Sequence, residues 1–203
     1  RQSFGLFAGW LAGCDVLRRA LKAEENNLMA TPGALTCGMP RWRCVTGIYF
    51  QGSLVALAAA TAASSAATAG TLSTTFLLSF AGFMLYDFAT IDFGTAPSIA
   101  AHHAACLFCH GYVVYLGTAA AFPWYLRGVA TLEAGSGLCN LHFLWPEDRQ
   151  LRQFYLGGMT VSNLATLYCM RQWVHATASP AGKALGAFVT CGLVIGRQQV
   201  AWE

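Results

Sequence analysis

Long apolar runs follow one another along most of this chain, and short segments rich in proline, glycine and charged residues separate them. A helix needs about 20 mostly apolar residues to cross the hydrocarbon core of a bilayer. Six runs approach this length: residues 45–63, 72–91, 97–120, 125–145, 154–173 and 184–200. A shorter run, 4–17, would add a seventh. The pattern therefore predicts six or seven membrane-spanning helices.

Composition supports the same class of protein. The chain has 203 residues, of which 56% are hydrophobic and 10% are charged, whereas soluble domains have about 25% charged residues. No change in composition marks a second domain, so we predict one all-α, polytopic membrane bundle over residues 1–203. The net charge of +3 provides no basic stripe, and we expect no nucleic-acid partner.

Charged residues in the connections favour one orientation. With seven spans, the side of the long connection 18–43 holds eight Lys or Arg residues, and the other side holds four. Because Lys and Arg are enriched in cytoplasmic loops, this side is predicted to face the cytoplasm, matrix or stroma. The eight are Arg18, Arg19, Lys22, Arg41, Arg43, Arg149, Arg152 and Arg197. Arg41-Trp42-Arg43 would be an interfacial anchor, and Phe122-Pro123-Trp124-Tyr125 a turn with two interfacial aromatics.

Polar residues interrupt three consecutive runs. Such groups are costly at membrane depth and usually face a bundle interior or a water-filled cavity, so they are candidates for function. The candidates are Asp87 in the third run, His102, His103 and His110 in the fourth, and Glu133 and Asn140 in the fifth. We predict that the three helices line one cavity.

Helical geometry groups several of these side chains on one face. Successive residues of a helix turn by about 100°, so five residues of the fourth run fall within an arc of roughly 120°. They are His102, His103, Cys106, Cys109 and His110. Glu133 and Asn140 are seven residues apart and also face one way.

Three interpretations of the histidines remain open. A histidine beside a carboxylate, here Asp87 or Glu133, can act as a general base in acyl transfer. Alternatively, a histidine could bind zinc, haem iron or chlorophyll magnesium; the His102-x3-Cys106-x2-Cys109 set suits a metal, although one helix rarely completes a tetrahedral site. The third interpretation is structural, with a histidine hydrogen-bonded across helices.

Several short motifs together resemble one family, the TLC domain of ceramide synthases, translocation-associated membrane proteins and several small proteins of unclear activity. The order and spacing agree over residues 76–145, about a third of the chain. The motifs are Tyr86-Asp87, His102-His103, Gly117, Glu133-Ala134-Gly135-Ser136-Gly137 and Asn140-Leu141-His142-Phe143-Leu144.

This resemblance implies a bundle of six or seven helices around a cavity for a long acyl chain. It also implies a location in the endoplasmic reticulum, membrane lipids as partners and acyl-CoA as a co-substrate, with His102 and His103 serving acyl transfer. The chain departs from ceramide synthases because their His-Asp and further acidic residues are replaced by Tyr112, Tyr115 and Gly117. It is therefore nearer the small TLC-domain proteins.

The resulting hypothesis is a lipid-handling membrane protein, with acyl transfer as its candidate reaction. His102 or His103 would be the base and Asp87 or Glu133 would orient it. Asn140, Tyr86 and His110 would contact substrate, and no metal site or firm cofactor is predicted. Two alternatives are a structural subunit of a respiratory or photosynthetic complex, in the mitochondrial inner membrane or thylakoid, and a histidine-ligated tetrapyrrole-binding subunit.

Overall fold

A computed structural model describes residues 39–90 and 97–202 without a break, together with scattered residues between 5 and 36. The continuous part forms six helices. They are α1 (Arg41–Ala63), α2 (Ala66–Thr90), α3 (Pro97–Leu116), α4 (Phe122–Leu144), α5 (Arg149–Ala176) and α6 (Pro180–Trp202). Two short segments, β1 (Leu35–Thr36) and β2 (Met39–Pro40), pair in antiparallel fashion just before α1.

The helical class is confirmed, because each of the six long apolar runs forms one helix of 20 to 28 residues. The described residues between 5 and 20 are also helical. The rest of the predicted first run, and most of the long connection after it, lie outside the described residues.

Prolines and one polar cap set the helix starts. Pro97 and Pro180 are the first residues of α3 and α6, a position where the missing N–H costs nothing. Asp148 caps α5, accepting hydrogen bonds from the backbone N–H groups of Gln150 (2.8 Å) and Leu151 (3.1 Å). The prediction of a turn at Phe122–Tyr125 was wrong, since these residues form the first turn of α4 with Pro123 inside it.

Three helices in the described part of the chain are long and apolar enough to cross a membrane. They are Arg41–Ala63, Thr68–Thr90 and Pro180–Trp202. This finding is consistent with an integral membrane protein. The helices α3, α4 and α5, which carry the histidines, Glu133 and several arginines, are not among the three, so six or seven spans stay a prediction.

The six helices close into a ring. Helix α1 packs against α2 and α4, α2 against α3, α3 against α6, α6 against α5, and α5 against α4. Each helix therefore has two main neighbours, and α4 has the most extensive contacts, with α5 and α1. The order around the ring is α1, α2, α3, α6, α5, α4.

Glycines permit the closest helix approaches. A Cβ atom placed on Gly47 of α1 would lie 2.5 Å from Asn140 Nδ2 of α4, and one on Gly158 of α5 would overlap the Leu138 side chain. Small residues at such contacts let helix backbones approach each other in lipid. The two contacts keep α4 close to both neighbours.

One side of the ring has a dry aromatic core formed by α1, α2 and α4. The Phe50 and Phe83 rings stack with centroids 4.2 Å apart. The core contains Phe50, Leu54, Phe76, Phe80, Phe83, Met84, Leu126, Val129 and Ala130. Large apolar side chains also face outward, including Tyr115 (86% exposed) and Phe188 (80% exposed), as expected of a surface that lipid or another protein covers.

Candidate functional site

A cavity of about 450 Å³ lies inside the ring and is lined by residues of all six helices. We call it the polar cavity. Six of the seven predicted site residues line it: Tyr86, Asp87, His102, His103, Glu133 and Asn140. The structure thus brings together residues from α2, α3 and α4 that are separated by up to 54 positions in the sequence (140 − 86).

The polar cavity lies at one end of the ring. Its lining residues come from the beginnings of α1, α3 and α5 and from the last turns of α2, α4 and α6. These helix ends belong to the side of the ring that carries Arg41 and Arg149. The cavity is therefore close to the end that sequence analysis predicts to face the cytoplasm, matrix or stroma.

Asp87 is the centre of a small charged cluster in this cavity. Its Oδ2 atom lies 2.8 Å from Nη2 of Arg43 and 3.4 Å from Nε2 of His103. The side chains of Arg43 and Asp87 are both only 13% exposed. The prediction of Arg43 as part of an interfacial anchor was wrong, because its guanidinium turns inward to pair with Asp87 and Trp42 is buried.

The other ring nitrogen of His103 has no partner. Nδ1 is buried, and it neither accepts nor donates a hydrogen bond among the described residues. A buried polar atom without a partner costs free energy, unless a bound group supplies the hydrogen bond. Asp87 lies against Nε2, and Nδ1 exposes less than 1 Å² to the cavity, so proton transfer to Nδ1 requires the ring to turn toward the substrate.

His102 has different neighbours. Its Nε2 atom lies 3.7 Å from the Cys106 sulfur, and its ring centroid is 5.4 Å from that of His103. No group of three or more His, Cys, Asp or Glu residues in the described ranges could hold a metal ion. The His102-x3-Cys106-x2-Cys109 set therefore does not form such a group.

A hydrogen bond in the polar cavity joins α4 to α1. Asn140 donates from Nδ2 to Oε1 of Gln51 at 2.9 Å, and Glu133 lines the same cavity. Sequence analysis missed Gln51. The available signal was the presence of a lone glutamine inside the apolar run 45–63.

Arg197 is another site residue that sequence analysis missed. It was counted only among the charges on the side of Arg41 and Arg149, whereas its guanidinium points into the ring. It donates to Ser136 Oγ (2.5 Å), the Leu132 carbonyl (2.8 Å) and Asn163 Oδ1 (3.2 Å). The signal was its position inside the predicted span 184–200, where an exposed charge would be costly.

A second, smaller cavity of about 100 Å³ borders the polar one. We call it the apolar cavity, because its walls include Val129, Leu132, Val189 and Leu193. Four residues line both cavities: His102, Glu133, Leu193 and Arg197. The far end is formed by Trp124, Tyr112 and Trp173. The interior of the ring thus changes from polar to apolar along the helix axes.

His110 is the one predicted site residue that lines neither cavity. Its Nδ1 atom is 2.8 Å from the hydroxyl of Tyr125, and its ring lies 5.4 Å from that of Phe80. Tyr125 does line the apolar cavity, so His110 is separated from it by one side chain. His110 is therefore placed to position the Tyr125 side chain and not to contact a molecule in either cavity.

No protein-family model, no curated protein and no solved structure matches this chain.

Proposed function

We propose that this chain is a TLC-like integral membrane protein whose helical ring binds a lipid in the joined cavities and transfers an acyl group. One observation carries the proposal. Six of the site residues that the sequence predicts line one polar cavity, which shares part of its wall with an apolar one.

The shape of the interior suits an amphiphile. A polar head fits among Asp87, His103 and Asn140, and a hydrocarbon chain fits against Leu132 and Leu193. Binding sites for small molecules are mostly apolar with a few well-placed polar groups. Here the polar cavity suits the head of a lipid, and the apolar cavity suits its hydrocarbon chain.

We further propose that all six helices of the ring cross the membrane. Each has 20 to 28 residues, which at 1.5 Å per residue is about 30 to 42 Å, enough for a hydrocarbon core of about 30 Å. On α3 and α4, His102, His103, Glu133 and Asn140 face the cavities and not the surrounding bilayer.

The proposed chemistry is base-assisted acyl transfer. His103 takes the proton from an amine or hydroxyl group as that group attacks the acyl carbon of acyl-CoA. A new amide or ester bond forms, the thioester bond breaks, and His103 passes the proton to the departing thiolate. Asp87 stabilises the imidazolium that forms in between, and Arg43 holds Asp87 in place.

The test is acyl transfer by the purified protein, followed by mass spectrometry of lipids and proteins that co-purify in mild detergent. His103→Ala should lower the rate by about 10²- to 10⁴-fold, the usual contribution of a general base. His175→Ala is the matched control, because His175 is exposed near the end of α5 and lines neither cavity. Equal activity of wild type and His103→Ala would exclude the catalytic role.

A second candidate function is that of a structural subunit in a larger membrane complex. The observation in its favour is the set of exposed large apolar side chains on outer faces, such as Phe108, Tyr115 and Phe188. The same purification separates the two candidates. A fixed set of partner proteins with no enriched lipid would favour the subunit, whereas a lone chain with one enriched acyl lipid would favour lipid chemistry.

A further inference from the structure

Arg197 stands where the two cavities meet. It is on α6, lines both cavities, and reaches across to α4 and α5. Its side chain is only partly buried because it forms part of the cavity wall. Any molecule that occupies both cavities must pass beside this guanidinium.

The acceptors around Arg197 are all uncharged. They are Asn163 Oδ1 (3.2 Å), Ser136 Oγ (2.5 Å), the Leu132 carbonyl (2.8 Å), Met159 sulfur (3.1 Å) and Ser162 Oγ (3.5 Å). Nη1 carries two hydrogens and makes one of these bonds, so it has a donor to spare. Within the described ranges, no carboxylate lies within the 4.0 Å that defines an ion pair with this guanidinium.

The other arginine of the polar cavity is different. Arg43 forms an ion pair with Asp87 at 2.8 Å, so its charge is compensated by the protein. Glu133 is the acid among the residues that line both cavities, and its charge interacts with that of Arg197 without the contact of an ion pair. Among the described residues, Arg197 therefore touches only neutral acceptors, and Glu133 acts on its charge from beyond ion-pair distance.

We infer that Arg197 anchors the anionic head of a single-chain lipid, with a carboxylate as the preferred group. The carboxylate receives the spare Nη1 donor, and the first carbons of the chain lie along Leu132, Val129 and Leu193 in the apolar cavity. A guanidinium away from bulk water is costly unless an anion contacts it, so an anion of the ligand supplies the contacting partner. This inference rests on the proposed lipid binding and names the class of lipid.

The first experiment compares ligands that differ only in their heads. Radiolabelled dodecanoate and dodecan-1-ol are equilibrated by dialysis with the protein in nanodiscs, and uptake by empty nanodiscs is subtracted. Because hydrogen bonds to ionised groups are roughly twice as strong as neutral ones, we expect dodecanoate to bind about tenfold more tightly. Equal affinity for the two would overturn the inference but leave lipid binding intact, whereas binding of neither would overturn both.

Variants then assign the preference to one residue. Arg197→Gln should bind the alcohol as well as wild type does and lose the preference for the acid. Arg197→Lys keeps the positive charge and should retain part of the preference for the acid. Arg127→Gln is the control, because Arg127 is exposed, stacks over Trp124 at 4.7 Å and lies outside both cavities. An unchanged preference in Arg197→Gln would mean that Arg197 only joins helices and does not bind the ligand. If that variant does not fold, the comparison of dodecanoate with dodecan-1-ol in the wild-type protein still tests the inference.

Discussion

The two cavities inside this ring are built from the same helices but have opposite chemistry. On α3, His102 and His103 face the polar cavity, while Val113, about three turns later, faces the apolar one. On α4 the order is reversed, with Val129 before Asn140. Because neighbouring helices run in opposite directions, polar residues must lie at alternate ends of successive helices to meet at one end of the ring.

The two ends are also stabilised in different ways. The polar cavity depends on pairs of side chains, such as Arg43 with Asp87 and Gln51 with Asn140. At the apolar end, aromatic rings lie directly on glycines of α6: a Cβ atom on Gly186 would overlap the Trp173 ring. Charge pairing thus matters at one end and shape at the other, and substitutions should affect the two ends by different mechanisms.

The largest effect should come from breaking the charged pair of the polar cavity. Asp87→Ala leaves Arg43 partly buried without its partner, and loss of one member of such a pair costs about 3 to 5 kcal/mol. The free energy of unfolding in detergent measures this. If electrostatics is the cause, the double variant Asp87→Ala with Arg43→Met should recover most of the stability, and failure to recover would show that packing dominates instead.

A smaller effect is expected at the apolar end. Gly186→Ala pushes a methyl group against Trp173, and overpacking of this kind costs about 1 to 3 kcal/mol. Gly157→Ala is the matched control, since nothing lies within 4 Å of a Cβ atom placed there and alanine favours helix. The melting temperatures of the two variants should move in opposite directions; equal shifts would contradict the close packing.

The smallest effect should come from the hydrogen bond between α4 and α1. Interhelical hydrogen bonds in membranes contribute about 0.6 kcal/mol on average and up to about 1.7. A double-mutant cycle with Asn140→Ala and Gln51→Ala should give a coupling energy in this range. A coupling energy indistinguishable from zero would mean that packing, and not this hydrogen bond, holds these helices together.

Much of the candidate site could be anticipated from the sequence. Asp87, His103 and Glu133 were identifiable because a polar residue inside an apolar run is costly in contact with lipid and usually faces the bundle interior. The same argument applies to Gln51 and Arg197, which also lie inside apolar runs. Their signal is weaker, because Gln51 is a single neutral side chain and Arg197 is near the end of a helix.

The amino-acid sequence by itself determined the six helices, because their backbone hydrogen bonds are local and their lengths follow the apolar runs. Only the tertiary structure decided which helices are neighbours, that His103 and not His102 meets Asp87, and that His110 turns to Tyr125. The physical reason is that these helices are apolar on most of their surface. A local pattern then indicates which residues avoid lipid, but the order of helices around the ring depends on contacts between distant segments, such as Gly47 with Asn140.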